Sequence, residues 1–516
     1  MSAIRPIAFL LGTLAAILSA PTGQAQTFPK AGEVLRDSLG ARVWQIGYRM
    51  TPTGYATLER SRDTQLSMRY AYWDSEGLNA PFEGEGGERL RIEASGYGVQ
   101  KDKSIYCAAA SFSTGTLRRS TWNDVCDVWM LYPYTVADAT GGDYLDEEYF
   151  LSGGYARYFG THVLGLRVEY TGRIAFRGAD PRPKNTVSDL SFNPGWSLRL
   201  GRGHTLGLFA KYRYYKQHVG ISVEEPGRSY TFYRMRGVGL FDRMFSKGDT
   251  SFGRYYFSDE ATVGGLWEKS GRNAFEAVLY FRYRSVRTEE SDNRIPFLTR
   301  RPEIGLHAGY RRTMGASALT ATLQGTYGRQ QGWERTYERV TADEQTQVQV
   351  WRFLSQTLRD EISSAHARLR VEYLQGLSPQ LSLWYATCGE YRYDREQFTS
   401  PLYHMQISFL RLGAETRLRR EGTKGNRLEL RMAAWHKTGT GSSIACAEAE
   451  NEIGVREMLL PLYEYLTRDY TLAEAAAAYA FVRRGFELKV HTEGGYAFGD
   501  GGSHRWGIRA GISVFL

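Results

Sequence analysis

Two long runs of strict alternation, joined by a tight turn, constrain the fold of this chain most. Within residues 188–216, apolar side chains occupy every second position over 190–200 and again over 206–214, around a turn at 201–204. Because successive side chains of a β-strand point to opposite faces, the pattern predicts a hairpin with one apolar and one charged face. Each run has about eleven residues, which crosses a tilted bilayer, whereas strands usually have about five or six.

Composition favours the same class of protein. Only 42% of the 516 residues are hydrophobic, the mean hydropathy is −0.44, and no stretch after the N-terminus approaches the roughly 20 apolar residues of a membrane helix. Aromatic residues make up 14% of the chain, which suits the aromatic girdles of an outer-membrane barrel. We therefore predict an all-β fold, a transmembrane antiparallel up-and-down β-barrel. A soluble all-β protein is the alternative.

The N-terminus carries a predicted export signal. Residues 1–25 combine Arg5, a short apolar run over 7–18 and the small-x-small sequence Gly23-Gln24-Ala25, the pattern of a cleaved secretory signal peptide, with cleavage after Ala20 as the alternative. Residues 26–63 then form a periplasmic segment or a hatch inside the lumen, and 64–516 form the barrel. These boundaries predict location in the cell outer membrane.

The spacing of connections predicts how the barrel is threaded. Short turns are expected near 159–162, 201–204, 269–273, 313–317, 377–380, 421–426 and 483–485. Longer links are expected over 113–146, 220–253, 330–364 and 438–470. Short periplasmic turns that alternate with long extracellular loops are typical of bacterial barrels. The pattern gives about 16–18 strands, with eighteen the preferred number.

The charged face of the strands is predicted to face the lumen. A charged side chain on the lipid face costs about 2–4 kcal/mol near the middle of the membrane, so the apolar face must meet lipid. The predicted lumen-facing cations are Arg69, Arg91, Arg167, Arg199, Lys211, Arg213, Arg282, Arg284, Arg368, Arg370 and Arg431. Six glutamates share this parity, namely Glu93, Glu169, Glu276, Glu372, Glu429 and Glu487. Either the lumen is basic and favours anions, or cross-strand ion pairs brace the wall, which the interleaved acids favour for most residues.

The net charge of +9 indicates which surroundings suit the basic residues. The basic residues are spread over the whole chain and form no patch or tail, so a cationic lumen or contacts with anionic lipid are expected rather than nucleic-acid binding.

No motif points to catalysis. The chain has no GxSxG or HExxH sequence and no CxxC spacing among its four cysteines, so we predict that it is not an enzyme and has no catalytic residue, metal or cofactor. Cys107 and Cys126 could form a disulfide in an oxidising compartment, but separate thiols are the favoured interpretation.

Two loops have distinctive composition. Two prolines stiffen the chain within the sequence Asp180, Pro181, Arg182, Pro183, Lys184 and Asn185. This rigid loop is either an epitope for a ligand or partner, or a simple crossover between strands. Aromatic residues crowd 230–245, where binding of sugar or lipid competes with self-packing over the barrel mouth.

Two segments resemble known families. The sequence of residues 129–156, with YPY, AD and GGD elements, and the DPRPKN sequence at 180–185 resemble a Bacteroidota family of outer-membrane β-barrels of unknown function. The resemblance covers nearly the whole mature chain and implies location and fold, with no known site. Residues 44–70, with Thr51-Pro52-Thr53-Gly54-Tyr55-Ala56, resemble the N-terminal hatch of long-chain fatty-acid transporter-like barrels.

These observations predict a channel or uptake route for a solute or a lipophilic ligand. The alternative is a surface scaffold whose long outer loops, such as 438–470, dock a surface lipoprotein. Outer-membrane lipid is the expected environment, and no nucleic acid is expected as a partner. The ligand, the oligomeric state and whether the lumen is open or plugged are left undecided by the sequence.

Overall fold

A computed structural model describes residues 62–100, 104–225, 227, 229–237, 239–247, 251–343, 348–399, 402–422, 425–446, 452–483 and 486–515. The predicted signal peptide and nearly all of the predicted segment 26–63 lie outside the described residues, so both stay predictions. No helix in the part that is described is long and apolar enough to cross a membrane.

The described residues are mostly strand. In chain order the strands are β1 (Arg62–Glu76), β2 (Gly86–Val99), β3 (Ser104–Ser120), β4 (Val136–Asp138), β5 (Gly142–Phe159), β6 (His162–Arg177), β7 (Arg182–Gly201), β8 (His204–Ser222), β9 (Ser229–Gly237), β10 (Leu240–Lys247), β11 (Ser251–Lys269), β12 (Asn273–Glu290), β13 (Phe297–Met314), β14 (Ser317–Asp343), β15 (Val348–Ser378), β16 (Leu381–Thr399), β17 (Leu402–Glu421), β18 (Arg427–Gly439), β19 (Ser443–Ala445), β20 (Tyr470–Arg483), β21 (Phe486–Gly499) and β22 (His504–Phe515). The helical elements are α1 (Val128–Leu131), α2 (Leu460–Thr467), a π-helical turn (Val455–Leu459) and two 3-10 turns (Pro81–Glu83 and Asp500–Gly502).

Eighteen of these strands form one closed antiparallel barrel. Each barrel strand pairs with the next one along the chain, and β22 pairs with β1 from Gln65↔Phe515 to Glu76↔His504, which closes the sheet. The remaining strands are β19, which pairs briefly with β17, and a separate sheet of β4, β9 and β10. The predicted fold class and strand number are confirmed.

The two ends of the barrel differ in their connections. At one end, the turn end, strands are joined by short links such as 160–161, 202–203, 315–316 and 379–380. At the other, the loop end, three long insertions follow β3, β8 and β18, over 121–141, 223–250 and 440–469. Strand pairing extends into each predicted long link and shortens it.

The predicted link 330–364 is wrong. These residues are strand: β14 and β15 pair from Gln330↔Ile362 to Thr341↔Gln349 and rise above the neighbouring strands as a two-stranded ribbon. Irregularities after Gly332 and Thr336 each set two residues against one, and such bulges break the alternation by which a strand is recognised in a sequence.

The outer surface of the barrel is apolar. On β1, for example, Leu66 is 52% exposed, whereas the intervening Ser67 is 2% exposed and lies against Ser513 of β22. The same outward parity continues around the barrel through Leu164, Leu208, Phe281, Ile304, Leu369, Leu412 and Ile512, all of which are exposed. In a closed sheet such a surface is the one that meets lipid hydrocarbon.

The three long insertions fold into the loop end of the barrel. We call their described residues the plug. One apolar cluster joins Val128, Leu131 and Phe232 of the plug to Tyr215 and Val219, which belong to the inner face of β8. A second cluster packs the plug against the inner faces of β16 and β17, with Trp122, Tyr233, Met235, Val455, Met458, Leu459, Phe398, Met405 and Ile407. The plug therefore fills the mouth.

Candidate functional site

The inner wall carries the predicted cations. Strand parity puts all eleven on the face opposite the exposed apolar residues. Eight of them lie within 4 Å of a carboxylate: Arg69, Arg91, Arg167, Lys211, Arg213, Arg282, Arg370 and Arg431. Four of these pairs link neighbouring strands, among them Arg69–Glu93 (3.1 Å) and Arg213–Asp189 (2.7 Å). Partly exposed pairs of this kind contribute about 0.2–1 kcal/mol each.

Three of the predicted cations have other neighbours. The guanidinium of Arg199 lies 5.0 Å from the ring centre of Tyr158, and Arg368 donates to the sulfur of Cys388 at 3.3 Å. Arg284 on β12 stands directly opposite another arginine, Arg301 of β13. These three therefore differ from the eight paired cations, because no carboxylate of the described residues lies within 4 Å of them.

A buried ion pair fixes the first insertion to the wall. The side chain of Arg177, at the loop end of β6, is 1% exposed and donates to Oδ2 of Asp138 at 2.6 Å, with Oδ1 of Asp124 3.8 Å away. Tyr144 of β5 donates to Oδ1 of Asp124 at 2.8 Å. Burial, followed by the charge of Asp138, raises the pKa of Asp124 well above its usual value. We call this group the β6 clamp.

A second polar contact lies across the mouth. The hydroxyl of Tyr132 donates to Glu396 of β16 at 2.7 Å, and Gln330 of β14 donates to the carbonyl oxygen of Tyr132 at 2.8 Å. Gly237, at the end of β9, has φ of +101°, and a Cβ there would lie 2.9 Å from Oε1 of Glu396 and 3.2 Å from Oδ1 of the buried Asp360. Glycine at this position therefore lets the β9–β10 hairpin approach the wall.

The third insertion is held at the end of its helix. Lys437 of β18 donates from Nζ to the carbonyl oxygens of Leu466 (2.6 Å) and Arg468 (3.1 Å), which close the C-terminal end of α2. A cation is favourable there because the helix dipole places negative charge at that end. Leu462 of α2 is 1% exposed in the cluster that contains Leu131.

The sequence Asp180 to Asn185 is less of a loop than predicted. Only Asp180 and Pro181 lie in the turn, because Arg182, Pro183, Lys184 and Asn185 belong to β7 and pair with β8 from Ser222 to Val219. Oδ2 of Asp180 accepts hydrogen bonds from the backbone N–H groups of Glu224 (3.0 Å) and Glu225 (2.7 Å). Burial opposes ionisation, but these donors outweigh it and lower the pKa of Asp180. The segment thus ties a barrel turn to the second insertion.

The other predicted features are placed as follows. The aromatic residues of 230–245 lie in β9 and β10, where Tyr230, Phe232 and Tyr233 are buried in the plug, so self-packing accounts for them. Cys107 lies on β3 and Cys126 in the plug, and the structure has no disulfide among the four cysteines. Among the described residues no group of three or more His, Cys, Asp or Glu side chains could hold a metal ion.

The fold and the site together define a closed, outer-membrane type of β-barrel whose own loops fill its mouth. Residues 52–516 match DUF6850, a family of unknown function, and the chain belongs to that family. The predicted membership of a barrel family of unknown function is confirmed to this extent. No curated protein matches the sequence.

Several solved barrels are similar in fold. CdiB from Acinetobacter baumannii is 10% identical with a TM-score of 0.35, and the match covers 88% of this chain and 60% of that protein. BauA, the ferric preacinetobactin receptor from Acinetobacter baumannii, is 8% identical with a TM-score of 0.39, covering 87% and 80%. A Pseudomonas aeruginosa FadL homologue is 11% identical with a TM-score of 0.31, covering 90% and 92%. These likenesses concern the fold alone.

Proposed function

We propose that the protein is an outer-membrane channel for polar solutes whose plug closes the lumen at the extracellular end. The observation that carries the proposal is a charged, solvent-accessible inner wall below a plug built from the loops of the barrel. The turn end, where β1 begins and β22 ends, then faces the periplasm.

The wall below the plug supports a hydrated path. The side chains of Arg69, Lys211 and Arg509 keep 40%, 32% and 54% of their surface exposed, although they lie on the inner face of three different strands. A barrel with a solid interior would bury these groups, and burying charge without full compensation is costly. Water therefore reaches the inner wall on both sides of the lumen. That the chain is not an enzyme stays a prediction.

The plug can leave the mouth without breaking the barrel. Each insertion starts and ends at strands that pair with each other: Ser120↔Gly142 on β3 and β5, and Ser222↔Ser251 on β8 and β11. At the third insertion, Lys437↔Tyr470 is the last pair of β18 and β20. Opening the plug therefore breaks its contacts with the wall, including the short pairing of β19 with β17, and leaves the ladder of the eighteen barrel strands intact.

The test replaces all three insertions by short turns. Because the flanking strands already pair, two-residue Asn-Gly turns of the type favoured in hairpins can join them. We expect the mature wild-type protein to be nearly silent in planar bilayers and the replaced variant to show sustained conductance. A matched control removes residues 338–352 at the tip of the ribbon, between the paired Tyr337 and Phe353, and should stay silent.

Two results would overturn the proposal. A replaced variant that is folded, as judged by heat-modifiable migration in a gel, but as silent as the wild type would mean that the lumen is not a path. A wild-type protein that conducts as strongly as the variant would mean that the plug does not close the mouth.

A second candidate function rests on the ribbon of β14 and β15. Beyond Glu334 and Asp360, β14 and β15 pair with each other and with no third described strand, so both edges are open. Phe353 and Leu354 are about half exposed there. An open edge with exposed apolar residues can dock a partner strand. The ribbon fits the scaffold hypothesis better than the predicted loop 438–470, which belongs to the plug. Cross-linking to a surface lipoprotein in intact membranes should then be lost on removal of 338–352.

A further inference from the structure

We propose that Arg284, opposite Arg301 of the neighbouring strand, forms an anion-binding site on the inner wall, directly below the plug, for the phosphate, sulfate or carboxylate group of a solute. The inference deepens the proposed function, on which it rests for its biological meaning, by naming the charge of the solute. Binding itself can be measured without conductance.

The pairing of two strands brings the two arginines together. Arg284 of β12 and Arg301 of β13 are directly opposite in the antiparallel register, so their Cα atoms are about 4.5–5.5 Å apart. Like charges in this position destabilise a sheet. Arg301 turns away towards β14 and β15, where it donates to Oγ of Ser364 at 2.7 Å. The missing side chain of Gly328 gives it room, because a Cβ there would lie 3.3 Å from Nε of Arg301.

The nearby carboxylates are already engaged by other arginines. Asp189 binds Arg213 through two oxygens, at 2.9 and 2.7 Å. Glu303 accepts from Arg282 at 3.1 Å and lies 3.5 Å from Arg301.

Arg284 differs from the other arginines of this part of the wall in its distance from the described carboxylates. Its neighbour on β11, Glu260, is 3.7 Å from Nε of Arg282. No described carboxylate lies within 4.0 Å of the Arg284 guanidinium. This part of the wall has four arginines and three acids, so one positive charge is uncompensated. A guanidinium with free donors suits an oxyanion, because its fork of N–H groups matches two oxygens.

The site lies where a solute meets the closed plug. Val286, two residues towards the loop end on the same face of β12, is 3% exposed in the cluster that contains Leu131 of α1. Tyr215, which lies in that cluster too, donates to Asp127 of the plug at 2.6 Å. Arg284 is therefore the first inner-face residue of β12 below the plug. An anion that enters from the lumen meets Arg284 before it meets the plug.

Isothermal titration of the detergent-solubilised mature protein with inorganic phosphate, at constant ionic strength, tests the site. We expect R284Q to weaken phosphate binding at least tenfold and R284K to retain part of the affinity, because lysine keeps the charge without the fork. R368Q is the matched control: it removes the same charge from the same wall, but Arg368 stands opposite Glu390 rather than another arginine. R368Q should bind phosphate like the wild type.

The outcomes are separable from those of the proposed function. Equal phosphate affinity in folded R284Q and wild type would overturn the site, and so would an equal loss of affinity in R368Q. A wild type that binds no phosphate at about 10 mM, where a site with a Kd of about 1 mM would be nearly saturated, would overturn it too. If the variant with replaced insertions conducts, R284Q in that background should lower its anion-over-cation permeability. If that variant is silent while phosphate binding depends on Arg284, the channel fails but the anion site stands.

Discussion

Removal of the Arg177 charge should open the plug without unfolding the barrel. In R177M the side chain keeps an unbranched apolar stem but loses the 2.6 Å contact with Asp138, and it leaves that carboxylate and Asp124 buried beside each other. Breaking a buried ion pair by removing one partner costs about 3–5 kcal/mol, because the remaining charge is uncompensated. The pairing of β5 with β6 does not involve the side chain, so the cost is expected in the docking of the plug.

The size of the effect follows from that cost. A loss of about 3–5 kcal/mol, at about 1.4 kcal/mol per factor of ten, raises the open fraction of the plug by two to three and a half orders of magnitude. Hydrogen exchange measures it directly. The amide of Trp122 donates to the carbonyl oxygen of Asp138 (3.0 Å) and that of Asp124 to Val136 (3.0 Å). Both bonds lie within the first insertion, so we expect these amides to exchange once the insertion leaves the wall and loses its packing.

The control is an arginine in a nearby exposed pair. The side chain of Arg182 is 37% exposed and pairs with Asp180 at 2.7 Å, so R182M should cost no more than about 1 kcal/mol. R177M should therefore accelerate exchange in 121–141 at least a hundredfold, and R182M less than tenfold. Exchange in R177M that stays within tenfold of R182M would refute the idea that the β6 clamp holds the plug. The double variant R177M/D138N should recover part of the protection, because it removes the stranded charge.

Three further perturbations test the same docking. Burial raises the pKa of Asp124 in the closed plug, and opening returns it to its ordinary value. Protection of 121–141 should therefore fall as pH rises above about 4, and D124N should remove this dependence. G237A should accelerate exchange in β9 and β10 more than G227A, because both glycines have positive φ but only Gly237 is crowded. L462A should weaken the plug by about 2–5 kcal/mol through an internal cavity, whereas M432A, on the outer face, should leave it unchanged.

Each of these expectations has a clear contrary result. The same pH dependence in D124N and wild type would assign the titration to another group. Equal exchange in G237A and G227A would show that backbone strain alone matters. An unchanged plug in L462A would mean that α2 is not part of the seal.

The barrel could be predicted from the sequence because each of its strands is marked by a pattern among neighbouring residues. Alternation at every second residue marks a strand, and its length of about eleven residues distinguishes a membrane strand from a soluble one. The strand number followed from counting such runs. The alternation is interrupted in the ribbon of β14 and β15, where bulges opposite Gly332 and Thr336 shift the parity of β15. The sequence therefore predicts a loop where the structure has a paired ribbon.

The plug could not be predicted because its partners are distant in the chain. Tyr132 and Glu396 are separated by 264 positions, and Asp138 and Arg177 by 39. Nothing in the composition of 121–141 distinguishes a loop that folds inward from one that extends into solvent. One signal was present: the aromatic residues of 230–245 are too apolar for a solvated loop, which pointed to burial without giving the partner.

The plug should behave as a single body rather than as three independent loops. The cluster against β16 and β17 draws Trp122 and Tyr132 from the first insertion, Tyr233 from the second, and Val455 and Met458 from the third. No insertion can move away while the other two keep their contacts, because each supplies part of the same apolar core. The polar contacts at Arg177, Glu396 and Lys437 lie on separate parts of the wall and therefore act on one opening equilibrium. The binding free energy of a solute that opens the mouth has to offset the summed free energy of these contacts.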